Sequence, residues 1–143
     1  MTRLSKIAGG AFILWGILHL VGGGMILMAA WNDPDAGFAA YSTASGGYDA
    51  LAGDILGYFA YGLVALGAIA AIIGVRGNLK NDETALLANT VLVLLTEIGL
   101  IVFLLLPDHL SLLDASPGLI LGLVGIVAGG LACHRTEAHH VDI

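Results

Sequence analysis

Long apolar runs separated by short polar breaks dominate this chain. Ile7 to Trp31, Ala52 to Val75, Thr84 to Leu106 and Pro117 to Cys133 are each apolar, with few or no charges. A helix needs about 20 such residues to cross roughly 30 Å of hydrocarbon. The first three runs reach that length, and the last is the shortest. Strands of a membrane barrel are about ten residues of alternating polarity, and no such alternation is present. Helices satisfy their own backbone polar groups in lipid. The pattern predicts an all-α integral membrane four-helix bundle formed by a single domain, residues 1–143.

The breaks read as turns. "NDPDAGFAAYSTASGGYDAL" is the one long connection, with turn signals at Asn-Asp-Pro-Asp and Ser-Gly-Gly. Between them Phe38, Tyr41 and Tyr48 are placed to join Trp31 in an aromatic belt at headgroup level, and "FAAYSTA" to form a short interfacial helix. "RGNLKNDET" ends in Asp82, Glu83 and Thr84, a helix start with acids in its first turn. In "LLLPDHLSLLDASPG", Pro107 is expected to end one helix and Pro117 to start the next. The tail "HRTEAHHVDI" is polar and expected to be loosely ordered.

Composition agrees. The chain is 58% hydrophobic and 11% charged, whereas a soluble domain carries about a quarter charged residues. The charges also orient the spans. Arg3 and Lys6 precede the first run, Arg76 and Lys80 lie between the second and third, and Arg135 follows the fourth. The other two connections hold Asp33, Asp35, Asp49, Asp108 and Asp114 and no Lys or Arg. Short basic loops stay cytoplasmic, so both termini are expected inside, in a bacterial or archaeal cytoplasmic membrane. The first run exceeds the 7–15 residues or so of a secretory h-region and is expected to remain as a span. Cys133, the single cysteine, has no partner for an internal disulfide and reads as an apolar filler near the interface. The net charge of -6 comes without a basic patch, which excludes nucleic acid as a partner.

Glycines mark where helices meet. Gly118, Gly122, Gly125 and Gly129 recur at helical spacing in the last run, Gly9, Gly16 and Gly23 every seven residues in the first, and Gly53 and Gly57 one turn apart in the second. Such faces let backbones approach closely, the main route to helix association in lipid. Packing within the bundle is the first reading. Part of this surface is also available for a homo-oligomer or for a larger membrane complex.

Candidate chemistry lies in the polar residues inside the runs. His19 in "WGILHLVGGG" is one turn from both Gly16 and Gly23 and is expected to point into the bundle. Glu97 interrupts "LLTEIGL". His19 follows Ile7 by twelve positions and Glu97 follows Thr84 by thirteen; at about 1.5 Å per residue the two come to nearly equal depth. Asp54, Tyr58 and Tyr61 share one face of the second run, Thr90 shares a face with Glu97, and Asn89 with Thr96. Together they predict a polar seam from the outer surface through Asp54, Tyr58 and Tyr61 to His19 and Glu97, with Asn89 and Thr90 deeper.

An isolated carboxylate at mid-membrane costs at least about 2.5 kcal/mol. It escapes that cost by taking a proton or by pairing with a protonated imidazole. A pocket for a proton, an ion or a small polar or quinone-like ligand is the expected function, and an accessory subunit of a larger complex is the alternative. A metal site ranks behind both, because metals need three or four ligands. Asp108, His109 and Asp114 read as turn and capping residues, and His134, Glu137, His139 and His140 as a polar tail. No nucleophile–base pair, phosphate loop or zinc-protease signature is present, so no catalytic residue is expected, and the sequence carries no cofactor signature.

"GGAFILWGILHL" resembles the first helix of DoxX-like membrane proteins, small four-helix proteins of about this length. Gly9, Gly16 and His19 match the family spacing of glycine, apolar stretch, glycine and basic residue, with His19 standing where members usually carry Lys. The resemblance covers one helix and the number of spans. It implies four-helix architecture and an association with respiratory quinone chemistry or redox homeostasis.

Overall fold

In the computed structural model, the described residues are 2–32 and 50–141, with side chains described for 2–32 and 55–134. Four long helices form the fold: α1 (Arg3–Asn32), α2 (Ala50–Arg76), α3 (Glu83–Leu100) and α4 (Leu112–Val141). A short 3-10 turn, Asn78–Lys80, links α2 to α3, and a π-helical segment, Ile101–Leu105, prolongs α3. All four helical segments are long and apolar enough to cross a membrane. There is no strand among the described residues. The expected aromatic belt residues Phe38, Tyr41 and Tyr48, and the short helix between them, lie outside the described residues.

Local chemistry sets the helix ends. Asp82 caps α3, its side chain accepting from the Ala85 backbone N–H at 2.8 Å. The preceding Asn81 takes a left-handed conformation with φ 65°, one that Asn tolerates better than most residues. Pro107 follows the π-helical segment, where the Leu106 N–H reaches back to the Ile101 carbonyl. The start of α4 differs from expectation: Pro117 lies inside it, and the helix begins five residues earlier at Leu112. Ser111 provides the cap, accepting from the Asp114 N–H and donating to the Asp114 carboxylate. Proline lacks the N–H that would serve the carbonyl four residues back. The Ser116 hydroxyl donates to that carbonyl, Leu113, at 2.9 Å. Past Cys133 the backbone stays helical to Val141, beyond the expected boundary, because "HRTEAHHV" contains neither Gly nor Pro to stop it.

α1 is the central helix, flanked by α2 and α4. Against α2 the contact is backbone to backbone. A Cβ on Gly16 would stand 2.5 Å from the Gly67 carbonyl oxygen, and one on Gly67 equally close to the Gly16 carbonyl oxygen. Gly23 continues this face against Ala60, Leu63 and Val64, while Gly9 meets Leu79 of the α2–α3 turn. Of the glycine triplet only Gly23 is a contact, since Gly22 and Gly24 border open space. Across the bundle, α4 steps down the core with one glycine per layer. Gly118 meets Glu97 and His19, Gly122 meets Val93 and Trp15, Gly125 meets Phe12, and Gly129 meets Leu86. The core draws on three helices, Phe12 and Trp15 of α1, Ala70 of α2 and Val93 of α3, with Leu86, Leu92, Leu121 and Ile126 around it.

The start of α1, the α2–α3 turn and the far part of α4 meet at one end of the bundle, where Ala8, Asn78, Asn81, Leu86, Gly129 and Cys133 border a shared pocket. The helices therefore alternate in direction. Exposed apolar side chains such as Leu14, Met25, Ile72, Leu95 and Leu123 cover the outside of all four, the surface a bilayer solvates.

Replacing Gly16 by Ala is expected to cost about 1–3 kcal/mol, because the methyl group must displace backbone. Gly24→Ala, in open space, should be neutral or stabilising by up to about 1 kcal/mol. Unfolding both variants in detergent checks this; equal stability would show that the α1–α2 contact is looser than described.

Candidate functional site

His19 reaches the bundle interior because Gly16 and Gly23 bring α1 against α2, and a Cβ on Gly67 would come within 3.1 Å of the His19 Cβ. Glu97 arrives from α3. Its relative exposure is 6%, a degree of burial that carboxylates tolerate only with partners. The two residues face each other with His19 Nε2 3.9 Å from Glu97 Oε1. That is within ion-pair range and longer than a direct hydrogen bond.

Trp15 organises the pair. Its indole Nε1–H donates to Glu97 Oε1 at 2.7 Å. Its carbonyl oxygen accepts from His19 Nδ1 at 2.9 Å, as expected for positions one helical turn apart. Its ring stacks on the imidazole, with centroids 3.8 Å apart and planes at 29°. One residue thus fixes the carboxylate, the imidazole tautomer and the ring orientation. Sequence reasoning passed over Trp15 as part of an apolar run. The available signal was its nitrogen donor, four positions before His19 on the same helical face.

The remaining polar atoms define what the site can do. Glu97 Oε2 is buried without a hydrogen-bond partner among the described residues. With Nδ1 committed to the Trp15 carbonyl, His19 has only Nε2 left for chemistry. A buried carboxylate oxygen without a partner costs about 1–3 kcal/mol or more, so this geometry favours whatever supplies a positive or hydrogen-bonding partner there.

The rest of the expected seam does not join the pair. Tyr58 and Tyr61 are 81% and 62% exposed. α2 presents its small residues Ala60, Gly67, Ala70 and Gly74 to the interior, which turns the tyrosines away. Asp54 is helical, and its side chain lies outside the described residues. Asn89 is fully buried, yet it belongs to a second cluster near the α2–α3 turn. There its Nδ2 donates to the Ala70 carbonyl at 3.2 Å and to Asn78 Oδ1 at 2.6 Å. Asn89, Val93 and Glu97 share one face of α3 at four-residue spacing, placing the two clusters about 12 Å apart with Val93 between. Thr96 bonds back to its own helix at the Leu92 carbonyl, and Thr90 is half-buried.

The other polar groups have local roles. Asp114 completes the α4 cap, and Asp108 and His109 are exposed in the turn. Cys133 is half-buried, with Sγ 3.8 Å from Asn81 Oδ1. Among the described residues no three His, Cys, Asp or Glu side chains gather so as to hold a metal ion.

Trp15→Phe should destabilise the protein by about 1–3 kcal/mol by stranding the carboxylate, and by less in a Glu97→Leu background. A double-mutant cycle on detergent unfolding is expected to give a coupling of about 1 kcal/mol or more. Strict additivity would mean that the indole and the carboxylate do not interact.

Comparison with known protein families, curated proteins and solved structures found no match to this chain.

Proposed function

We propose that this small membrane protein holds a ligand-binding site at the His19–Glu97 pair, and that the ligand is a proton, an ion or a small polar molecule. The observation that carries the reading is Glu97 Oε2, buried without a hydrogen-bond partner among the described residues, beside an imidazole whose Nε2 makes no hydrogen bond among them. Ionisable residues inside a membrane protein are expensive and are a functional hypothesis by default. The layer of Phe12, Trp15 and Val93 below the pair, all nearly or wholly buried, supports a site within the bundle rather than a through-pore. The exposed Arg3, Lys6, Arg76 and Lys80 belong to the end of the bundle away from the site; in our reading that end is cytoplasmic.

A ligand that binds the folded state alone raises its stability by mass action. The unfolding midpoint of the parent protein is therefore expected to move with pH or with added monovalent cation, and that of Glu97→Gln to move much less. Identical responses of the two proteins would remove the pair as the site.

A second reading, an accessory subunit of a larger membrane complex, is favoured by the exposure of Tyr58 and Tyr61. Two phenols with polar tips within an otherwise apolar helix are better placed against protein than against lipid tails. Gly9, Gly16, Gly23, Gly118, Gly122, Gly125 and Gly129 do not serve such a partner, because they are filled from within the bundle. Native mass spectrometry after gentle extraction should then show a defined complex that Tyr58→Ala and Tyr61→Ala together disperse. A monomer in the parent protein would end this reading.

A further inference from the structure

We infer that the ligand of the His19–Glu97 pair is a single proton, placed by Trp15 and read out by its indole. This rests on the pair being a binding site, as proposed above, and narrows the ligand to one chemical species.

The space around the pair limits ligand size. α4 offers Gly118, and a Cβ built there would stand 3.0 Å from Glu97 Oε1 and 3.5 Å from His19 Cε1. On that side the gap is smaller than a methyl group. α2 offers Gly67 against the His19 Cβ, and the Trp15 ring covers one face of the imidazole at stacking distance. Neither glycine brings a side chain. His19 on α1 and Glu97 on α3 are thus the only titratable groups facing each other here among the described residues. A cation that sheds its water needs a replacement shell of oxygen ligands, and the pair provides one carboxylate.

Hydrogen-bond roles then fix where the proton goes. The Trp15 carbonyl can only accept, so His19 Nδ1 keeps its hydrogen whether the ring is neutral or charged. The Trp15 Nε1–H can only donate, so Glu97 Oε1 remains an acceptor. The two atoms left are His19 Nε2 and Glu97 Oε2. The bound proton adds to the Nε2 lone pair, which faces the Glu97 carboxylate at 3.9 Å, giving an imidazolium beside a carboxylate. This form leaves the pair with no net charge, the arrangement a low-dielectric interior tolerates best. No bond is broken and no co-reactant is needed.

Trp15 makes the event measurable. The chain has two tryptophans, and Trp31, at the end of α1, is 86% exposed. Trp31→Phe leaves Trp15 as the only indole, stacked on the group that takes the proton. An imidazolium in van der Waals contact quenches indole emission, and a neutral imidazole does so far less. In vesicles of neutral lipid, the emission of the Trp31→Phe protein is expected to fall reversibly on acidification and to be unmoved by sodium or potassium at fixed pH. Adding His19→Gln should abolish the loss of emission, with helix content by circular dichroism confirming the fold. If sodium or potassium changes the emission at fixed pH, the ligand is a metal cation: the inference fails while the site stands. Emission that responds to neither, with and without His19→Gln, overturns both. The parent Trp31→Phe protein alone decides between proton and cation should the second variant not fold.

Discussion

The approach of α1 to its neighbours at backbone distance is the constraint on which the other features depend. In lipid the hydrophobic effect does not drive helices together, so association relies on close packing and interhelical hydrogen bonds. Gly16 and Gly67 each leave room for the other's carbonyl oxygen, which locks the rotation of α1 and α2 about their axes. With that rotation set, Trp15 and His19 face the side occupied by α3 and α4, and no longer point to lipid. The glycine ladder of α4 then closes on them. Each glycine admits a different side chain, from the Glu97 carboxylate at Gly118 to Phe12 at Gly125.

The glycines also explain why a carboxylate is tolerated in the interior. Burial of a polar group without a hydrogen bond is costly, and burial of an unpaired charge far more so. Glu97 has one oxygen on the Trp15 indole and a histidine nitrogen within ion-pair range. Both come from α1, so the polar contact and the glycine contact belong to the same helix and support the same rotation. A second polar cluster, Asn89 with Asn78 and the Ala70 carbonyl, ties α3 to α2 at the other end. Polar ties at two depths, separated by the apolar layer of Phe12, Trp15 and Val93, fix the position of α3 along the bundle.

The π-helical segment that follows Glu97 shows how a local irregularity accommodates this arrangement. Four residues after Glu97, the Ile101 N–H is shared between the Glu97 and Ile98 carbonyls, and the wider turn begins. Such segments occur mostly as single turns within α-helices, often near functional sites. Here it lies beyond the last residue that α3 contributes to the core, where the exposed Val102 and Phe103 face outward.

Sequence alone determined the architecture. Span number, approximate span positions, the helix start at Asp82, Glu83 and Thr84 and the interior placement of His19 and Glu97 all follow from hydropathy, helical period and helix-start chemistry. These are local properties, carried by a few neighbouring residues. The N-terminus of α4 escaped because proline is a familiar helix starter, and the Ser116 hydroxyl that lets Pro117 lie inside acts through a three-residue contact. Tertiary structure decided which polar residues meet. Tyr58, Tyr61 and Asn89 carry the same kind of chemistry as the pair, yet the small-residue face of α2 turns the tyrosines outward and eight positions along α3 separate Asn89 from Glu97. Trp15 is the converse, apolar by hydropathy and yet the donor that completes the site. Depth in the membrane is fixed by counting residues, but helix rotation is fixed by packing against neighbours, and only rotation determines which side chains touch.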